Sequence, residues 1–204
     1  MPTASKFEDY AFTVTLEVES PLDRSEPSDF ITTFCAKIFH SDEDDNQEEA
    51  GRLYMHKIAL NSAEAAGFSK YDTLEGHTSD LWSLCEPLID EETDDWQPFL
   101  SDEFYTDCIF SLLAVHVCAI NPKYRGNHLG LKLTQRAIEL IGEDCEFAVC
   151  QPMQVTSNEI MFGELPEEWL LKSSLNTKQL CQYWAKLGFK RIGKTKIFGM
   201  VPGL

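Results

Sequence analysis

No Cys-x-x-Cys pair occurs in the 204 residues, and the seven cysteines, at positions 35, 85, 108, 118, 145, 150 and 181, are odd in number and scattered. That pattern suits neither a disulfide framework nor a zinc site; it predicts reduced thiols, several of them buried in strands, and no metal centre. No apolar run approaches the roughly eighteen residues of a membrane span, and the opening "MPTASKFEDY" has neither the basic segment nor the apolar stretch of a signal peptide. The expectation is a soluble, cytoplasmic protein without a membrane partner. Basic residues are scarce as well: 17 Lys plus Arg stand against 34 Asp plus Glu, a net charge of -17. Nucleic acid is therefore disfavoured, because binding to phosphates depends on Lys and Arg contacts that neutralise them. The dinucleotide fingerprint G-x-G-x-x-G is also missing.

What remains is a chain with 43% hydrophobic residues, enough for one sizeable core, so residues 1–204 are expected to form a single globular domain. Its charge is unevenly spread. Residues 1–108 hold 6 Lys plus Arg against 26 Asp plus Glu, whereas residues 109–204 hold 11 against 8. One reading is that an acidic half keeps the protein soluble. The other is that a basic part receives an anionic ligand while the acidic part attracts a cationic one.

Hydrophobic periodicity places the elements. In "YAFTVTLEVE" Phe12, Val14, Leu16 and Val18 alternate with polar residues, the signature of a strand with one buried face. "FITTFCAKIF" and "GRLYMHKIAL" read as an antiparallel hairpin whose tip is the acidic stretch between them, solvated and without a core face. "SDLWSLCEPLID" sets Leu81, Leu84, Cys85 and Leu88 at helical spacing. "CIFSLLAVHVCAI" is rich in Val and Ile and reads as a central strand covered on both faces. After it Leu133, Ala137, Leu140 and Ile141 recur at helical spacing until Gly142, a residue suited to ending a helix. "CEFAVCQP" predicts another strand stopped by Pro152. "NTKQLCQYWAKLG" predicts a helix capped by Asn176 with Gln179 three residues on and Gly188 beyond its end. "FKRIGKTKIFGM" closes as a strand or hairpin. These elements give a fold class of α/β (α+β), strands with flanking helices.

Between the central strand and its helix lies Arg125, Gly126, Asn127, His128, Leu129, Gly130. A turn there directs unpaired N–H groups outward with the positive end of the helix dipole behind them, which favours an anion. The glycines permit close approach, and Arg125 can add a charge-assisted bond to phosphate. An ordinary glycine-containing turn has the same spelling.

This stretch, preceded by "CAINPKY", resembles the acetyl-CoA loop [QR]xxGx[GA] of the GCN5-related N-acetyltransferase (GNAT) superfamily, and "CQYWAKLGFKRIG" resembles the family's last helix and following strand. The likeness spans roughly residues 108–200 and implies a GNAT-like fold, a mixed and mostly antiparallel central sheet flanked by helices. It implies an acetyl-CoA dependent N-acetyltransferase, an acyltransferase acting on a primary amine, with a small cationic acceptor slightly preferred over a protein. The alternative is a non-catalytic acyl-CoA-binding or interaction module of the same fold. By the resemblance, backbone groups of Cys118, Ala119 and Ile120 bond the cofactor along the central strand. Arg125, Gly126, Asn127, His128, Leu129 and Gly130 then take the pyrophosphate. His116, two residues before Cys118 and read as sharing its strand face, corresponds to a histidine of arylalkylamine acetyltransferases and is the base candidate; Tyr183 is the candidate proton donor. The chain departs from the pattern in carrying His128 at a glycine position, Trp184 at the usual tyrosine position, Ala114 where some members have a glutamate base, and a hairpin directly after the first strand. Residues 153–175 read as an insertion bordering the thioester, containing a short helix at "PEEWLLKSSL" and serving either as substrate lid or partner surface or as a plain structural embellishment.

Overall fold

The computed structural model describes residues 12–106, 108–153, 159–160, 163–170 and 177–203. Seven strands form one sheet: β1 (Phe12–Glu19), β2 (Ile31–Ser41), β3 (Gln47–Ile58), β4 (Leu112–Ile120), β5 (Phe147–Cys150), β6 (Lys190–Arg191) and β7 (Phe198–Met200). Their order across the sheet is β1-β2-β3-β4-β5-β7-β6, antiparallel throughout except for the parallel pair β4–β5. The mixed, mostly antiparallel architecture expected from the sequence is present.

The connection from β3 to β4 carries four short helices: α1 (Leu60–Ala65), α2 (Lys70–Glu75), α3 (Ser79–Cys85) and α4 (Phe99–Phe104). Their Leu74, Leu81, Leu84 and Leu100 pack on Ile58, Leu112, Ala114 and Phe147, covering one end of one sheet face. The opposite face is covered by α5 (Leu129–Ile141), whose Leu129, Leu133, Ala137 and Ile141 meet Phe34, Leu53, Met55 and Val115. Trp184, on α6 (Thr177–Ala185), joins this second core. The sequence therefore builds two apolar layers, one on each side of β4, which explains why Leu112, Leu113, Ala114 and Val115 are all buried. Among the described residues no helix is long and apolar enough to cross a membrane.

Several expectations need adjustment. Along β1, Phe12 and Val14 are half-buried, but Leu16 and Val18 are exposed because this edge strand outruns the helices over it. Of the short helix predicted at "PEEWLLKSSL", the described part holds a 3-10 turn at Glu167–Trp169, and residues 171–175 lie outside the described residues. Asn176 lies outside the described residues, while α6 follows from Thr177. The acidic tip is much shorter than its composition suggested. β2 continues to Ser41 and β3 begins at Gln47, so Glu48 and Glu49 are strand residues with partners, and only residues 42–46 turn.

That turn is self-contained. The Asp42 carboxylate accepts from the backbone N–H of Asp44 and Asn46 and from the Asn46 amide. Replacing Asp42–Asn46 by a two-residue Asn-Gly turn is expected to shift the melting temperature by no more than a few degrees, since loop shortening changes closure entropy only weakly. A thermal melt checks this, and a shift above 10 °C would mean that the tip packs on the domain.

Candidate functional site

The end of β4, the turn after it and the start of α5 are organised by the ladder around them. β5 pairs with β4 only from Leu112–Phe147 to Val115–Cys150, while β4 runs on to Ile120. Among the described residues, its last four positions, Val117–Ile120, have a strand partner on the β3 side alone. The β3–β4 ladder itself shifts register between Tyr54 and Met55, which oppose Val117 and Val115, leaving His116 as the extra residue of a bulge. A bulge places consecutive side chains on one face. Cys118 packs into the core beneath α5. The His116 imidazole instead meets His56, whose neighbour Met55 belongs to the α5 core. The expectation that His116 and Cys118 share a face is therefore wrong: the inserted residue turns His116 to the side away from α5.

There His116 joins two imidazoles that the sequence did not single out. Its ring lies edge-on to His56 at 4.7 Å between centroids, and His77, from the loop between α2 and α3, lies edge-on to His56 at 4.8 Å. Thr33 Oγ1 and His56 Nδ1 are 3.1 Å apart and share a hydrogen bond. His56 is fully buried. Burial, reinforced by the neighbouring rings of His116 and His77, pushes its pKa down to about 2. Burial holds His116 at about 4, with Asp80 opposing the shift and His77 adding to it, and burial lowers His77 while Glu19 opposes. All three rings are thus neutral at pH 7. Among the described residues no group of His, Cys, Asp or Glu side chains is arranged to hold a metal ion, and these edge-on rings do not converge on one point.

Tyr183 projects from α6 to the other side of β4. A Cβ at Gly130 would lie 2.5 Å from its hydroxyl oxygen and 3.3 Å from Cys118 Sγ, so glycine at 130 is what lets the phenol, the thiol and the first turn of α5 meet. Burial raises the Tyr183 pKa, the Cys118 thiol adds to the rise, and the Leu131 backbone N–H opposes it. Cys118 is itself pushed up to about 11 by burial. It is a neutral thiol contacting the Gly130 carbonyl at 3.8 Å, not a nucleophile. Tyr183 and His116 thus flank β4 from opposite faces.

The turn owes its shape to residues 121–128. Asn121 accepts from the Lys123 N–H and donates its amide to the Glu49 carbonyl on β3. Glu48 accepts from Lys123 Nζ and from the buried Tyr124 hydroxyl, the latter at 2.6 Å, and these bonds lower its pKa. Gly126 at φ 88° and His128 at φ 58° are both left-handed. That conformation is easy for glycine and costs about 1 kcal/mol or more for histidine, which explains physically why a glycine suits position 128. His128 precedes α5 without a capping side chain, and its own side chain is exposed. Arg125 is committed in part to backbone: Nε donates to the Ile120 carbonyl at 2.9 Å, and Nη2 donates to the Trp169 carbonyl. The Asn127 amide donates to the Tyr124 carbonyl. Ala119 packs against Leu165 and the buried Trp169, so residues 165–170 lie along the end of β4.

Gly188–Thr195 also spell G-x-x-x-x-G-K-T, the spacing of a phosphate loop. The context is reversed. Gly188 ends the turn after α6, Lys190–Arg191 is β6, and the Thr195 hydroxyl donates to the Ile192 carbonyl inside the closing hairpin. A phosphate loop needs a strand before it and a helix after it, so this spacing carries no nucleotide site.

Comparison with family models, curated proteins and solved structures finds no match to this chain.

Proposed function

We propose that the protein is an acetyl-CoA dependent N-acetyltransferase of GNAT type, acting on a primary amine. The observation that carries this reading is the divergence of a parallel strand pair: β4 leaves its ladder with β5 after Val115 and ends in a turn feeding an uncapped helix N-terminus. Such a gap offers β4 backbone groups from Val117 to Ile120 to an extended amide chain such as pantetheine, with Cys118, Ala119 and Ile120 as its contacts. Outward N–H groups over Gly126–Gly130 then suit a pyrophosphate. An acyl group lying in the gap would have the Tyr183 phenol on the α5 side and the His116 imidazole on the other. The neutral phenol can protonate a departing thiolate, and the neutral imidazole can accept a proton from nitrogen.

A second reading is favoured by one observation. The Arg125 guanidinium already holds the Trp169 carbonyl, and residues 165–170 rest along β4 as they would in a module that binds acyl-CoA without turning it over. Calorimetry with acetyl-CoA and CoA, followed by a thiol-release assay with a panel of primary amines, tests both. Binding with turnover supports the enzyme, binding without turnover supports the module, and no binding at millimolar ligand removes both. Arg125→Ala is expected to weaken CoA binding about tenfold or more if the remaining guanidinium donors reach phosphate. An unchanged dissociation constant would leave Arg125 as a tether for residues 165–170 alone.

A further inference from the structure

The two edges of the sheet are built differently. β6, at one edge, is two residues long, and both, Lys190 and Arg191, are exposed cations. So short and so uniformly charged a strand discourages a further strand from pairing with it. β1, at the other edge, is eight residues long, contains no proline, glycine or lysine, and keeps unbroken register with β2 from Phe12 to Glu19. Among the described residues its outer side has no ladder partner. Leu16 and Val18 are 36% and 57% exposed on it, although their neighbours on β2, Ala36 and Phe34, belong to the core beneath α5. A long alternating edge without a bulge is a template for another strand.

Side-chain facing and charge decide which strand fits. A second β1, antiparallel and related by a two-fold axis perpendicular to the sheet, keeps the two faces in common, so even-numbered residues meet only even-numbered ones. An axis through Glu17 would set the two Glu17 carboxylates directly against each other, which destabilises a strand pair. An axis through Leu16 sets Leu16 on the partner's Leu16, Val14 on Val18, Thr15 on Glu17 and Thr13 on Glu19. The exposed apolar side chains then meet apolar ones, and no like charges are opposed. Because Thr15 pairs with Lys37 of β2, this register also brings the partner's Glu17 into the cross-strand row that holds Lys37, which already bonds its own Glu17. Two lysines and two glutamates therefore balance around the axis. An axis through Thr15 would set Glu17 on Thr13, whose neighbour on β2 is Phe39, and would supply no such cation.

We infer that β1 is a self-association edge, through which two copies of this chain join antiparallel about Leu16 into one continuous sheet. Glu17 and Glu19 select the register rather than block pairing. This association is independent of the acetyltransferase reading. One strand pair buries less than the roughly 1,600 Å² of a standard interface, and each copy carries a net charge of -17. The dimer is accordingly weak, and it tightens as salt screens the repulsion between the copies.

Sedimentation equilibrium of the full-length protein, over a roughly hundredfold range of concentration at low and at high salt, reads the association directly. Two variants fix its location. Leu16→Lys and Thr13→Lys change the net charge equally, so any general change in repulsion is common to both. Leu16→Lys sets two lysines face to face on the axis and should weaken the dimer about tenfold or more. Thr13→Lys sets a lysine opposite the partner's Glu19, a residue that makes no ion pair among the described residues, and should tighten the dimer by roughly threefold to tenfold at low salt. Both positions are exposed, so both variants should melt with the wild type. A wild type that stays monomeric at every concentration and salt, a dimer indifferent to Leu16→Lys, or variants that shift the equilibrium in the same direction would overturn the proposal.

Discussion

His116→Gln is expected to lower acetyl transfer roughly a hundredfold while leaving CoA affinity within about twofold, because a lost proton acceptor weakens the transition state rather than the ground state. Under the proposed acetyltransferase reading, burial limits what His116 could accept a proton from. Held near pKa 4 by burial, His116 is neutral throughout the working range, but it is too weak a base to deprotonate a free alkylammonium, whose pKa is about 10. The group it can relieve is the more acidic nitrogen of the tetrahedral adduct, formed after a neutral amine has attacked. Turnover at limiting amine should therefore rise with pH between 7 and 9, following the neutral fraction of the acceptor, with no inflection near 6.5 where an ordinary histidine titrates. Tyr183→Phe removes only a hydroxyl from the opposite side of β4 and should lower the rate without altering that rise. Steady-state kinetics, CoA calorimetry and melting of both variants decide the matter. Wild-type turnover in a well-folded His116→Gln protein would exclude the relay and leave water as the acceptor.

Much of this frame was legible in the residues. β4 and α5 follow from a Val- and Ile-rich run and then a helical repeat, and the closing hairpin follows from its glycines and alternating apolar residues. The four helices between Leu60 and Phe104 were mostly not legible, because each is six or seven residues long and shows barely two turns of periodicity. Local signs did exist. Ser69 and Asp72 form a reciprocal capping box at the start of α2. Glu48 and Glu49 read as loop because they adjoin an acidic run, yet Lys123 and Tyr124 supply Glu48 with partners from about 75 positions away and Arg52, three residues on, pairs with Glu49. The bulge at His116 is invisible along one strand, since it exists only as a mismatch with β3. That mismatch decides which face the base candidate occupies. His56 and His77 escaped notice for the same reason: 21 positions apart in sequence, they meet only when the loop before α3 folds over β3.

The same imidazoles should make folding stability fall between pH 6.5 and 4.5. An unfolded histidine titrates near 6.5, whereas folded His116 and His56 titrate at about 4 and about 2, and folded His77 lies below its ordinary value. Below pH 6.5 the unfolded chain takes up protons that the native cluster refuses, so stability is full above that pH and declines as the pH drops towards the folded values. Each buried imidazole contributes a slope of about 1 kcal/mol per pH unit, so His116 and His56 together remove about 4 kcal/mol over this window. That is a large share of the 5–15 kcal/mol typical of a domain. Carboxylates do not confuse the result. Asp29, Asp42, Glu48 and Asp144 all have lowered values in the folded state, so their stabilisation is lost only as the pH falls below the ordinary carboxylate range, under about 4.5. Urea unfolding at pH 7.0, 6.0, 5.0 and 4.5 should show the midpoint moving steadily downward. The decline should be shallower in His116→Gln and in His56→Gln, whatever each variant does to stability at pH 7. A midpoint unchanged across the window would mean that the three rings are reached by water and protonate freely in the native state; a neutral cluster would then be lost, and with it the case for a neutral His116 acceptor.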